Sequence, residues 1–229
     1  MTITINGEEI EIPLNTINHV PSVIRWFEEC CNHIIVDDIL PEKYPEPVLK
    51  CFNIRNIYTD RISWCLLAEP WVNVLAEKMS GKKCIELYAG LGYLSHNLQK
   101  RGVDITPYDD KSWAFNKYKK ACEVVNMKAS DAIKKYRNQK VDYVLMSWIP
   151  YDPWDSPNLR NSDCVKVLKE IKHHHPETKL IIIGEENGGC NANDVFFSMI
   201  NETYFDKELD SKFQQWYGIH DIICEYKVK

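Results

Sequence analysis

The stretch CIELYAGLGYLSHNLQKRG, Cys84–Gly102, decides the fold. It opens with a short apolar run, Cys84, Ile85 and Leu87, that carries a single acid, Glu86. Two glycines, Gly90 and Gly92, then mark a turn. Beyond them Leu91, Leu94 and Leu98 recur at helical spacing, and Lys100-Arg101-Gly102 reads as a basic last turn with a glycine stop. Strand, glycine turn and helix form the opening unit of a nucleotide-binding α/β sheet. The glycines let the backbone turn sharply and bring its N–H groups close to a ligand.

Two ligand classes use such a turn. Gly90-x-Gly92-x-x-Ser95 is a relaxed dinucleotide fingerprint, with an acid further on at Asp109 or Asp110. Glu86-x-x-x-Gly90-x-Gly92 is instead the acid-then-glycine pattern of S-adenosylmethionine enzymes. In those enzymes the strand acid lies under the methionine end and the acid after the next strand takes the ribose hydroxyls. The turn by itself leaves both open.

The 229 residues suffice for one large α/β domain with an extension. A hydrophobic content of 45% suits a globular chain, and a net charge of −5 leaves no strong nucleic-acid footprint. No apolar run is long enough for a bilayer, and the polar N-terminus does not read as a signal peptide, so a cytoplasmic protein with no membrane partner is expected. The nine cysteines are odd in number and show neither CxxC pairs nor histidines at ligand spacing. They read as reduced, mostly buried thiols, and no metal site is expected. His173-His174-His175, before Pro176, reads as a helix exit rather than a metal cluster, because neighbouring helical residues point apart.

In chain order, Thr2–Ile5 and Glu9–Ile12 alternate around Asn6-Gly7, which predicts a hairpin. A helix is expected from Pro21, a proline-rich loop over 37–47, and a second helix from Pro70 carrying Val72, Leu75 and Met79. Residues 1–80 therefore read as a hairpin and helical extension packed on a core domain of 81–229. Within the core, strands are expected at Lys83–Tyr88, Asp104–Tyr108, Val141–Met146, Lys179–Gly184 and Asp221–Tyr226, with a short weak one before Ser130-Asp131. Helices are expected near Ser112–Val125, Ser162–His173 and Asn193–Ile200. Strands alternating with helices argue for a parallel sheet covered on both faces, with ligands beyond the carboxyl ends of its strands. Those ends read Tyr88-Ala89-Gly90, Asp109-Asp110, Ser130-Asp131, Ser147–Tyr151 and Glu185-Glu186.

Taken together, these segments resemble a class I S-adenosylmethionine-dependent methyltransferase. More narrowly, they are similar to a branch with a GAGTGY-like cofactor loop, a C/S-W-P-P strand end, a GE…GGC loop and a closing W-x-G-x-H-D segment. The matching residues are Ala89–Tyr93, Ser147–Pro150, Gly184-Glu185 with Gly188–Cys190, and Trp216–Asp221, with Ser63-Trp64 just upstream. The resemblance spans roughly residues 60–229. It implies a Rossmann-like three-layer α/β/α sandwich whose seven-stranded, mostly parallel sheet has its last strand antiparallel. It also implies S-adenosyl-L-methionine as cofactor. Glu86 and the Ala89–Gly92 backbone would hold the methionine moiety, Asp109 or Asp110 the ribose and Asp131 the adenine amino group, with Tyr88 and Ser130 also counted as cofactor-binding. Asp131 reads equally well as a helix N-cap.

The chain departs from the pattern in three places. Tyr88 fills a slot that is often glycine, and Ile149 replaces the first proline of W-P-P. Trp148 stands where amino-group methyltransferases place an Asp, Asn or Ser that accepts from the target amine, and an indole only donates. Ser147 lies one residue early, and Tyr151 is placed to stack on a substrate. Glu185 is the candidate base, with Glu186 second. Cys190 and the His220-Asp221 pair belong to neighbouring loops. The implied activity is methyl transfer to an acceptor the sequence does not name, a small molecule or a protein or nucleobase group. The aromatic residues near the expected mouth suit a flat or apolar one. The alternatives are a cofactor-binding regulatory protein without transfer and an NAD-dependent oxidoreductase. The latter is disfavoured because no Tyr-x-x-x-Lys set follows the fourth strand.

Overall fold

The computed structural model describes residues 2–5, 8–11, 55–56, 58–60, 62–112, 120–152, 157–186, 190–204, 206–213 and 219–229. The expected Asn6-Gly7 turn, the helix from Pro21, the 37–47 loop, Gly188-Gly189 and Trp216–Gly218 lie outside them, as does most of the 112–125 segment.

β1 (Thr2–Ile5) and β2 (Glu8–Glu11) pair antiparallel, from Thr2 opposite Glu11 to Ile5 opposite Glu8. α1 (Glu69–Met79) starts with Pro70 in its first turn, where the missing N–H costs nothing, and it buries Trp71, Val72, Leu75 and Met79 along one stripe. Then come β3 (Lys83–Leu87), α2 (Tyr93–Gln99), β4 (Asp104–Asp109), β5 (Val125–Asn126), α3 (Ala129–Lys134) and β6 (Tyr143–Ser147). A short 3-10 turn (Leu159–Asn161) precedes α4 (Asp163–His174). β7 (Lys179–Gly184), α5 (Asp194–Ser198), β8 (Ile200–Tyr204), α6 (Lys207–Lys212) and β9 (Ile222–Val228) complete the order.

The seven strands β3–β9 form one sheet in the order β5-β4-β3-β6-β7-β9-β8. β5, β4, β3, β6 and β7 run parallel; β9 is antiparallel to both β7 and β8. Six strands thus run one way and the last runs against them, in a Rossmann-like sandwich.

The pleat's period of two divides the apolar side chains between two cores. Cys84, Ile105, Leu145, Ile181 and Ile223 face α1, α2 and α6, whereas Ile85, Leu87, Val144, Met146 and Ile182 face α3, α4 and α5. With both faces covered, β6 and β7 are apolar almost throughout, which is why they are the plainest strands in the sequence.

Three expectations change. Residues 120–124 are not helical, and Val125 pairs in β5 instead of closing a helix. The helix expected over Asn193–Ile200 stops at Ser198, and Ile200 begins β8. β8 and α6 were not foreseen at all. Among the described residues no helix is long and apolar enough to cross a membrane. The described cysteines Cys65, Cys84, Cys122, Cys164, Cys190 and Cys224 are free thiols. Burial raises Cys122 and Cys164 to about 11, which keeps them protonated and unreactive.

Candidate functional site

Beyond the end of β3 the chain makes three left-handed residues: Tyr88 (φ 62°), Gly90 (φ 55°) and Gly92 (φ 75°). Tyr88, a bulky residue in that region, is held by both its neighbours. Ala89 N donates to Tyr108 O of β4 at 3.0 Å, and the Tyr88 hydroxyl donates to Asp163 at the start of α4 at 3.2 Å. Gly92 is a glycine for steric reasons: a Cβ there would lie 2.7 Å from Val124 Cγ2 and 2.8 Å from Cys122 Sγ. A Cβ at Gly90 would meet nothing within 4 Å. The open side of Gly90 is the floor of a cavity.

Two carboxylates fasten this turn. Glu86, inside β3, is 2% exposed, and its Oε2 accepts from Ser95 N at 3.1 Å and Ser95 Oγ at 2.5 Å. Burial raises its pKa to about 7, against the pull of the Ser95 bonds, and the charge on Asp109 adds to the rise. Asp109, the last residue of β4, accepts from Gly90 N at 2.9 Å and from Lys111 N at 2.7 Å. Burial also lifts its pKa, partly offset by those two amides. Each oxygen retains acceptor capacity. Asp110 is exposed and, among the described residues, accepts from Ser112 N alone.

The cavity measures about 360 Å³, within the range of small-ligand clefts. One end is lined by Glu86, Tyr88, Ala89, Gly90 and Asp109. The other is lined by Ser147, Trp148, Ile149, Pro150 and Tyr151 after β6, by Trp64 and Ile62 from ahead of α1, and by Cys190. The residues expected on the adenine side are elsewhere. Ser130 Oγ donates to Asp163 at 2.5 Å, and Asp131 is exposed and pairs with Lys134 at 2.9 Å; neither lines the cavity. Gly92, Asp110 and Glu185 do not line it either.

Order at the second end comes from a residue the sequence reading missed. Asn191 is 2% exposed; its Oδ1 accepts from Ile149 N at 2.7 Å and its Nδ2 donates to Glu185 O at 3.1 Å. It lies so close to Gly184 that a Cβ there would be 2.6 Å from its amide. Asn191 thereby joins the ends of β6 and β7. Trp148 is left-handed (φ 51°), its N–H donates to Ile183 O at 2.7 Å, and its ring is 8% exposed. Its indole N–H is buried beside Asp221, close enough to lower that carboxyl's pKa without reaching hydrogen-bond geometry. Asp221 is fully buried, and burial still leaves it at about 6, whereas His220 is exposed. Glu185 Oε2 accepts from Cys190 N at 3.0 Å, and Glu186 accepts from the Tyr226 hydroxyl at 2.9 Å.

Arg55 was also missed. Residues 55–56 and 58–60 are helical, anchored by Tyr58, whose hydroxyl accepts from Leu67 N at 3.2 Å. The Arg55 guanidinium lies 5.8 Å from the Trp64 ring centroid and 5.7 Å from that of Trp148. The two rings are 5.6 Å apart at 41°. Burial lowers the Arg55 pKa, and the charges of Asp221 and Glu185 counter that.

A reversed last strand and a ligand-sized cavity over the first strand ends are both in place. The reversed last strand is the one that the sequence resemblance implies. No protein-family model matches the chain, and no curated protein matches it. Among solved structures it is similar to a SAM-dependent methyltransferase from Agrobacterium tumefaciens, at 10% identity and TM-score 0.39 over 69% of this chain and 60% of that one. It is likewise similar to magnesium protoporphyrin IX methyltransferase from Synechocystis, at 10% and TM-score 0.41 over 91% and 96%. A third is 1,6-didemethyltoxoflavin-N1-methyltransferase from Burkholderia thailandensis, at 15% and TM-score 0.41 over 84% and 93%. The chain spans 60% of the Agrobacterium enzyme's length.

Proposed function

We propose that the chain binds S-adenosylmethionine in this cavity and transfers its methyl group to an acceptor held at the Trp148 end. One observation carries the reading. Acids at the ends of adjacent parallel strands, Glu86 and Asp109, secure the turn 88–92 through Ser95 and Gly90, and Gly90 is left open to a cavity of about 360 Å³. Such a pocket fits a cation that also carries a diol. The buried carboxylates attract the positive end, and Asp109 has lone pairs left for two hydroxyl donors. The cofactor supplies an already electrophilic methyl group. The chain's own task is to hold the nucleophile in line and exclude water.

At the far end the lining residues include Trp64, Trp148, Tyr151, Ile62, Ile149 and Pro150, with Thr59, Ser63, Ser147 and Cys190 the polar ones. The Ser147 hydroxyl is buried at the cavity wall beside the Cys65 thiol, and we assign it as a polar contact for an acceptor group. Glu185 stands one step back, its carboxylate engaged by the Cys190 amide, and we assign it as the rim group that takes a proton from the acceptor.

Calorimetric titration with S-adenosylmethionine and S-adenosylhomocysteine, with NAD as control, tests the reading. Micromolar binding of both sulfur compounds, lost in Asp109→Ala, is expected. Binding of NAD alone would overturn it. A second reading, a cofactor-binding protein without transfer, is favoured by Trp148, which puts a donor where amine methyltransferases have an acceptor. Release of S-adenosylhomocysteine with a screened acceptor decides between the two.

A further inference from the structure

We propose that the acceptor end receives a flat, conjugated and uncharged group laid against the Trp64–Trp148 pair, with Arg55 setting its preference against ions. This deepens the methyl-transfer reading and rests on it for the identity of the other ligand.

The tryptophan pair lines that end of the cavity, its rings 5.6 Å apart. It is rigid, because Trp148 is fixed by its bond to Ile183 O and by the Asn191 clasp on Ile149. Paired indoles serve two kinds of guest: cations, drawn by the negative ring faces, and aromatic rings, which stack. Here a cation already lies against both rings from outside the cavity's lining. The Arg55 guanidinium lies within 5.8 Å of both centroids, and its Nε is buried without a hydrogen bond among the described residues. A second cation would meet a charge already in contact with both rings.

Anions are disfavoured for a different reason. Asp221 and Glu185 lie close enough to raise the Arg55 pKa, so its charge is already countered. Glu86 and Asp109 line the opposite end of the same cavity. An anionic guest would therefore add to an excess of negative charge. A neutral ring escapes both penalties, and a ring hydroxyl on it would lie near Ser147.

Three probes sharing one ring separate these cases: naphthol, naphthoate and naphthyltrimethylammonium. Each is titrated calorimetrically into the full chain, with and without saturating S-adenosylhomocysteine. Naphthol is expected to bind about ten-fold tighter than either ion, and Trp148→Leu to weaken it about ten-fold. Arg55→Met keeps the bulk and removes the charge, so it is expected to raise affinity for the ammonium probe. A purely structural Arg55 would not produce that gain. Equal binding of an ion and naphthol by the wild-type chain, or binding of none of the three, overturns the proposal whatever the variants do. If naphthol selectivity holds while S-adenosylhomocysteine does not bind, only the methyl-transfer reading falls. If S-adenosylhomocysteine binds and selectivity is absent, only this inference falls.

Discussion

Gly90 and Gly92 share a left-handed backbone, and their surroundings set them apart. Alanine at either adds strain of about 1–2 kcal/mol. At Gly92 the new methyl also strikes Val124 and Cys122, so overpacking of about 1–3 kcal/mol is added. At Gly90 it projects into open cavity. Gly92→Ala is therefore expected to lower the melting temperature well below that of Gly90→Ala. Gly90→Ala is expected to remain folded and lose S-adenosylhomocysteine binding. Scanning calorimetry and titration of the two variants check this.

Glu86 makes the residue scale sensitive to pH. Its folded pKa is raised from 4.5 to about 7 by burial, so the folded state keeps a proton that the unfolded chain gives up. The stability this provides is complete below 4.5 and is lost as pH rises through 7, a loss of up to ~3 kcal/mol. Glu86→Gln mimics the protonated form. It is expected to match wild type near pH 5 and exceed it in urea midpoint at pH 8. Ligand effects run the opposite way: affinity for a cationic ligand should rise in wild type between pH 6 and pH 8, and stay flat in Glu86→Gln. Glu86 and Gly90 were legible in the sequence as a motif. Their separate roles were not, because these depend on what Ser95, Val124 and Cys122 bring from elsewhere.

Among the elements, the ends of β6 and β7 depend on Asn191. Asn191→Ala leaves Ile149 N buried without its acceptor, at a cost of about 1–3 kcal/mol. The Ile149 amide is expected to lose protection from hydrogen exchange, with β3 and β4 unaffected. In sequence Asn191 is a polar residue in a glycine-rich loop and carries no sign of being 2% exposed. The strands β3, β4, β6, β7 and β9 were readable because both their faces are covered, which demands apolar runs. β8 was not, because residues 201–203 are exposed and, among its described side chains, Ile200 alone reaches the core. α6 has an Asp206 cap on Glu208 N and Leu209 N, but Leu209 is its single buried residue and no period can be seen. Arg55 escaped notice for a related reason: its meaning lies in two tryptophans, one of them 93 positions away by sequence number.

At the scale of the molecule, Glu225 links distant parts of the chain. It is 4% exposed in β9, 2.9 Å from Lys179 of β7 and 3.3 Å from Lys78 of α1; Lys78 also lies 3.5 Å from Asp206, the cap of α6. Removing one partner of a buried pair leaves the others uncompensated. Glu225→Gln is expected to cost about 3 kcal/mol in urea denaturation, with an unchanged denaturant slope.

The position of β9 has a consequence for how the protein is made. Strand β8 is synthesised before β9, yet its place in the sheet is reached only through β9. On the ribosome, Ile200–Tyr204 therefore has no partner until Ile222–Val228 has emerged, and the apolar edge of β7 waits uncovered for the same interval. A stop codon anywhere between the two strands would release a chain with that edge permanently open. Such a product would be prone to join others of its kind and a natural client for chaperones, while the turn 88–92 was already complete.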